Sequence, residues 1–133
     1  RPMSLRSPIG RVLGLGAAKE GSGHWWMQRV TSVALVFLTL WFAVAIPALA
    51  NASYLDTLRW IGDPINAVLL LLLIPTLIYH SLLGVQVVVE DYVHHHGLKV
   101  ASLLCLTFLH VLRAALAIFA VLRIAFTGPG TRL

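Results

Sequence analysis

The sequence predicts an all-α integral membrane protein with three transmembrane helices. Of its 133 residues, 59% are hydrophobic and only 11% are charged, a balance that does not suit a soluble globular domain. Three apolar stretches are each about 20 residues or longer, which lets a helix cross a hydrocarbon layer about 30 Å thick. Three helices with polar groups inside them are few, so we expect other subunits to complete their packing.

The predicted elements follow from hydropathy and from the residues that flank each apolar stretch. Trp25 and Trp26 stand where the first stretch begins, as amphipathic aromatics do at membrane interfaces. No short apolar region with a small-residue cleavage site precedes this stretch, so we expect a spanning helix and not a signal peptide. In chain order we predict a polar segment over 1–25, a transmembrane domain over 26–126 with spans at 26–49, 65–89 and 100–126, and a tail over 127–133.

Positive charge is concentrated before the first span. Ten Lys and Arg against five Asp and Glu give a formal net charge of +5. Such a charge in a soluble domain would suggest nucleic-acid binding, but here its position matches the excess of cations on cytoplasmic segments of membrane proteins. We therefore expect no nucleic-acid partner, an N-terminus in the cytoplasm (or a mitochondrial matrix) and a C-terminus across the membrane. The cations before the first loop are Arg1, Arg6, Arg11, Lys19 and Arg29.

His80 lies deep inside the second predicted span. At about 100° per residue it shares one helix face with Gly84, Val87 and Asp91, and it lies roughly 16 Å below the cytoplasmic surface. An imidazole can be an axial ligand of haem iron, and Gly84 leaves room for a flat macrocycle. Two alternatives are a histidine that hydrogen-bonds a neighbouring helix and a proton relay.

Asp91 and Tyr92 stand where the second span reaches the cytoplasmic side. A phenol there can donate a hydrogen bond to a quinone carbonyl, and an adjacent carboxylate can relay protons. Tyrosine is also common at membrane interfaces for its amphipathic character alone. These two residues are therefore candidates for a quinone site, with a purely interfacial tyrosine as the alternative.

Two stretches resemble the small hydrophobic membrane-anchor subunit of bacterial, particularly alphaproteobacterial, succinate dehydrogenase, which is respiratory complex II. They are RSPIGRVLGLGAAKEGSGHWWMQRVTSVAL at 6–35 and HSLLGVQVVVEDYVHHHGLK at 80–99. Between them only the three-span hydropathy matches. The more specific feature is the histidine that Asp-Tyr follows eleven positions later.

The resemblance implies a bundle of six helices, three from this chain and three from a second anchor subunit, with one haem b between them. His80 stands at the family's haem-ligand position, and the partner anchor is expected to supply the other axial ligand. Tyr92 matches the tyrosine that hydrogen-bonds ubiquinone, and Asp91 matches the acidic residue beside it. Arg29 matches an arginine close to the haem propionates and the quinone pocket.

The expected function is therefore that of a membrane anchor of succinate:ubiquinone oxidoreductase in a bacterial inner membrane, with a periplasmic C-terminus. A flavoprotein subunit and an iron–sulfur subunit would dock on the cytoplasmic side, and this chain would perform no succinate chemistry. One alternative is another quinone-linked cytochrome b subunit, with haem held by His80 and His110 of this chain. The other is a non-redox scaffold or small transporter component.

Two further polar features are not explained by the motifs above. Arg113, in the third span, is an intramembrane charge that needs a partner, for which a haem propionate, a partner subunit or a lipid headgroup all qualify. His94, His95 and His96 resemble a metal-binding tract, but consecutive loop residues point in different directions. We expect a solvated loop or a subunit contact there, with proton collection near the quinone site as the alternative.

Overall fold

The computed structural model describes residues 18–129, and within that range it is helical apart from short connections. Its elements are α1 (Ala18–Ala50), α2 (Tyr54–Gly62), α3 (Pro64–Tyr92) and α4 (His96–Thr127). In the described range α1, α3 and α4 are the helices long and apolar enough to cross a membrane. This confirms the predicted class, an all-α membrane protein with three spans.

The long helices extend beyond the stretches that hydropathy marks. α1 begins at Ala18 and not at residue 26, and α4 begins at His96 and not at residue 100. Hydropathy identifies the part of a helix that lies in hydrocarbon, whereas the backbone hydrogen bonds continue into the polar interface. Residues 1–17 of the predicted polar segment and residues 130–133 of the predicted tail lie outside the described range.

Helix α2 occupies what the sequence suggested was a loop between the first two spans. Ser53 caps it, because its hydroxyl accepts a hydrogen bond from the Asp56 backbone N–H at 3.2 Å and donates to the Asp56 carboxylate at 2.7 Å. Asp63 then begins α3 by accepting from the Ile65 and Asn66 N–H groups. The sequence does contain helix-start signals in Ser53-x-x-Asp56 and Asp63-Pro64. A search for apolar spans does not detect such capping residues.

α2 packs across one end of the bundle. The Trp60 ring stacks on the Trp41 ring of α1, with 5.7 Å between centroids. Next to this pair, Ala67 and Leu70 of α3 and Val121 of α4 form a small buried cluster. The short helix therefore ties all three spans together at the end that we expect to face the periplasm.

Helix α3 is the centre of the arrangement, since it packs against both α1 and α4. Much of the remaining surface is apolar and open, as Phe37 and Val44 of α1 show with exposures of 70% and 81%. In water such faces would be unstable, but a bilayer or neighbouring transmembrane helices can cover them. The chain alone thus has a thin core and wide faces for lipid or other subunits.

The Ser53 cap leads to a prediction about Asp56. The hydroxyl of Ser53, with the Arg59 guanidinium in addition, holds the pKa of the Asp56 carboxyl below its ordinary value. We expect Ser53→Ala to raise this pKa, measured by carboxyl ¹³C NMR titration in detergent. A depressed carboxyl pKa stabilises the folded state above that pKa and ceases to do so as the pH falls through it. The stabilisation of α2 that depends on Asp56 should therefore be smaller in the variant and be lost at a higher pH, whereas Ser102→Ala on α4 should leave the Asp56 titration unchanged.

Candidate functional site

His80 meets Thr31 where α3 packs against α1. The Nδ1 atom of His80 lies 3.0 Å from the Thr31 hydroxyl oxygen. Thr31 is buried, and His80 is half-buried. A polar contact between two spans satisfies both groups in a region where water is absent.

The surroundings of Thr31 select one tautomer of the His80 ring. The threonine hydroxyl lies 2.8 Å from the Met27 carbonyl oxygen of the preceding turn, and a carbonyl can only accept a hydrogen bond. With the hydroxyl proton directed to Met27, the contact with His80 requires the ring to donate from Nδ1. The neutral ring then carries its lone pair on Nε2, which has no hydrogen-bond partner among the described residues. This is the state in which an imidazole can bind a metal.

Open space lies one turn from His80 toward the Tyr92 end of α3. A Cβ atom placed on Gly84 would have no neighbouring atom within 4 Å. Close packing inside this chain therefore does not require glycine at this position. At the same level of the antiparallel α1, the buried side-chain oxygen of Gln28 has no hydrogen-bond partner in the described part of the chain. An unpaired buried acceptor costs about 1–3 kcal/mol, so its donor is expected from another molecule.

His110 joins α4 to α3 on a different side. Its ring is buried, its Nδ1–H donates to the Leu106 carbonyl at 2.8 Å, and its Nε2 lies 3.4 Å from the Ser81 hydroxyl. The contact with Ser81 puts His110 at the depth of His80. Both of its ring nitrogens are engaged, however, and the two rings face different helices. The geometry thus gives no support to a cofactor clamped between His80 and His110.

Asp91 and Tyr92 lie in the last turn of α3, and both are exposed. Tyr92 is 78% exposed, and neither side chain forms a hydrogen bond with another described residue. At about 1.5 Å per residue, Tyr92 is about 18 Å along the helix from His80. The structure therefore keeps the candidate quinone residues together but separates them from the histidine.

Arg29 lies on α1 two residues from Thr31, about 3 Å along the helix and on the opposite helix face. Its guanidinium lies over the Trp25 ring at 5.0 Å from the centroid, and it makes no hydrogen bond or ion pair within the described residues. The stacking fixes the side chain against its own helix, while the guanidinium donors stay free for an anion. The chain by itself does not bring Arg29 to His80.

The three consecutive histidines have separate local surroundings. His94 donates from Nδ1 to the Tyr92 carbonyl at 3.1 Å, and the His95 ring caps α4 by accepting from the Leu98 N–H at 3.4 Å. Close by, the Lys99 ammonium donates to the Glu90 carbonyl at 2.8 Å. These contacts shape a tight connection between α3 and α4. The described residues hold no group of three metal-ligating side chains.

A cavity of about 610 Å³ lies at the opposite end of the spans, between α2 and the nearby ends of α3 and α4. Its lining is mainly apolar, and its charged residues are Arg59, which pairs with Asp56, and Asp63, which caps α3. It offers no converging polar groups to a ligand. The chemistry-bearing residues lie elsewhere.

Sequence reasoning missed Thr31, Gln28 and Ser81. The signal for Gln28 and Thr31 was their helical spacing. They are one turn apart inside an apolar stretch and so share a helix face. Ser81 follows His80 directly and faces the other neighbouring helix. Polar residues at helical spacing within a span predict an interhelical contact even when no motif names them.

The tautomer of the His80 ring can be measured directly by NMR. In ¹⁵N-histidine-labelled protein in detergent, we expect His80 to show a protonated Nδ1 and a bare Nε2, as His110 also should. Thr31→Val removes the acceptor and should abolish the Nδ1–H preference of His80, while Thr31→Ser should retain it. The His110 signals serve as the internal control. A wild-type His80 that is protonated on Nε2 would contradict this reading of the hydrogen bonds.

Comparison with known proteins agrees with this picture. The model of the succinate dehydrogenase/fumarate reductase transmembrane subunit family matches residues 3–123. The chain is 34% identical over 117 residues, 88% of its length and 94% of the other's, to the succinate dehydrogenase hydrophobic membrane anchor subunit of Rickettsia bellii (strain RML369-C). It is 30% identical over 121 residues to that of Paracoccus denitrificans, covering 91% and 93% of the two chains. No solved structure matches. With three apolar spans and a family match over most of its length, the chain belongs to the succinate dehydrogenase/fumarate reductase transmembrane subunits.

Proposed function

We propose that this chain is the membrane anchor of a succinate:ubiquinone oxidoreductase that co-ligates haem b, forms part of the ubiquinone-reduction site and docks the flavoprotein and iron–sulfur subunits. The observation that carries the proposal is the His80 ring, with Nδ1 held by Thr31 and Nε2 free. The partner names rest on the names of the related anchor subunits.

The residues around His80 fit a haem. The free Nε2 would hold the haem iron, and the space beside Gly84 would admit a flat macrocycle against the helix. Of the two described histidines deep inside the spans, only His80 offers a free ring nitrogen, since His110 is engaged on both nitrogens. A second anchor subunit would therefore supply the other ligand, and its helices would complete a six-helix bundle. A bound haem b supplies a one-electron redox centre, whose potential responds to the hydrogen bond on the ligating histidine.

Tyr92 and Asp91 are proposed to bind and protonate ubiquinone at the cytoplasmic end. Reduction of the quinone to quinol takes two electrons, which the iron–sulfur subunit delivers, and two protons. The Tyr92 phenol donates a hydrogen bond to a quinone carbonyl, and the Asp91 carboxylate passes protons from the cytoplasmic side. Both side chains are open in this chain, as residues covered by partner subunits would be.

Arg29 is proposed to contribute to the haem site or to the quinone pocket. Its guanidinium has no ion pair among the described residues and lies on the Tyr92 side of the Thr31–His80 contact, so it can pair with a haem propionate or line the quinone pocket. The excess of cations before the first span supports a cytoplasmic N-terminus in a bacterial inner membrane. This chain would take no part in succinate oxidation itself.

The main competing proposal is a non-redox scaffold in which His80 only joins α1 to α3. The contact with Thr31 is compatible with that role, but it uses one ring nitrogen and leaves a free ligand beside open space. Such an arrangement suits a metal ligand better than a structural histidine, which gains from bonding both nitrogens as His110 does.

Replacing His80 and His110 one at a time tests which histidine binds the haem. In the purified complex we expect His80→Ala to lose the reduced b-type absorption, because the axial ligand is gone. His110→Ala should retain that absorption, although loss of the buried hydrogen bonds should lower thermal stability by about 1–3 kcal/mol. A b-type spectrum that survives His80→Ala, or disappears with His110→Ala alone, would remove the proposed ligand.

Tyr92→Phe tests the quinone site. We expect quinone reduction with succinate to fall by roughly 10²-fold, since general acid groups typically contribute about that much or more. Succinate oxidation by an artificial acceptor should not change, because it needs no quinone. Tyr54→Phe, an equally exposed tyrosine at the other end of the bundle, is the matched control. Normal quinone reduction in the Tyr92 variant would exclude the phenol from the site.

A further inference from the structure

Arg113 is a cation in the middle of a transmembrane helix. It lies about 26 Å from the start of α4 and about 21 Å from its end, at about 1.5 Å per residue. With α4 centred in hydrocarbon about 30 Å thick, its Cα is about 13 Å inside the nearer boundary. That distance exceeds the reach of an arginine side chain, so neither bulk water nor a lipid headgroup satisfies the charge from the side.

The chain itself offers Arg113 no counter-charge. The side chain is exposed and makes no hydrogen bond or ion pair with any described residue. All acidic residues of the sequence lie near helix ends or in connections, so a second copy of this chain would not bring a carboxylate to that depth either. Those residues are Glu20, Asp56, Asp63, Glu90 and Asp91.

The exposed face of α4 around Arg113 has a composition that suits packing against another transmembrane helix. One turn to either side, Leu109 and Leu116 are exposed, and Ala120 one turn further leaves room for close approach. His110, which is buried against α3, marks the inner side of α4, so Arg113 stands beside the interface with α3 and not on it. An uncompensated charge on such a face persists only if protein covers it.

We propose that this face of α4 docks against a transmembrane helix of the second anchor subunit that carries an aspartate or glutamate at mid-bilayer depth, paired with Arg113. The inference rests on the proposed function in naming the partner as the second anchor. A haem propionate is the other carboxylate to consider. Gly84 is on the cytoplasmic side of His80 and Arg113 on the periplasmic side, a separation of about 10 Å along the helices. His80 also faces α1, away from α4. A macrocycle on the Gly84 face therefore lies away from Arg113.

Whether replacing Arg113 raises or lowers the melting temperature of the whole complex tests the proposed ion pair. We expect Arg113→Leu to lower the melting temperature and the yield of co-purified second anchor subunit, because it leaves a buried carboxylate without its partner. Arg113→Lys should retain part of both. Arg123→Leu is the matched control, since this exposed arginine is one turn from the end of α4 and can reach the interface.

A rise in melting temperature for Arg113→Leu, with unchanged co-purification, would mean that the arginine faces lipid and would overturn the proposal. Loss of haem with the second anchor retained would assign the cation to a propionate and also overturn it. A wild-type chain that purifies without a second anchor would instead contradict the proposed function.

The partner residue can be found by rescue. Each membrane-embedded carboxylate of the second anchor is changed to its amide in the Arg113→Leu background, and one of these changes should restore the melting temperature because both charges are then gone. A photoreactive benzoylphenylalanine placed at Leu116 should cross-link to the same helix. Rescue by none of them would refute the pairing.

Discussion

The hydrocarbon core of a bilayer holds no water, so each polar group carried into it has to find a partner in protein or in a cofactor. This constraint orders the polar residues of the chain. Thr31 and His80 join α1 to α3, and Ser81 and His110 join α3 to α4. Interhelical packing in a membrane lacks a hydrophobic driving force between the helices, so such contacts help to define which faces meet.

The same constraint separates what the chain completes from what it leaves open. His110 is satisfied on both nitrogens, whereas His80 keeps one nitrogen free beside the open space at Gly84. Gln28 has a buried oxygen without a donor, and Arg113 has a charge without a counter-ion in the described range. The unsatisfied groups are spread over three helices, so more than one face of the bundle is available to other molecules.

These open groups agree with membership in a family of anchor subunits, whose members work within a larger complex. The thin core beside α2 holds the spans together at one end, and the opposite end presents Tyr92 and Asp91. A chain of this design contributes ligands and surfaces to sites that its partners complete. Its stability should be judged in the assembled complex, where exposed apolar faces and unpaired charges are covered.

The sequence by itself determined the three spans, the depth of His80 and the grouping of Asp91 with Tyr92, because hydropathy and helical periodicity depend on local spacing alone. It also raised Arg113 as a charge that needs a partner. Only the tertiary structure decided that Thr31 occupies Nδ1 of His80 and that His110 is engaged by Ser81. Those contacts join residues far apart in the chain. They depend on the rotation of each helix about its own axis, which hydropathy does not define.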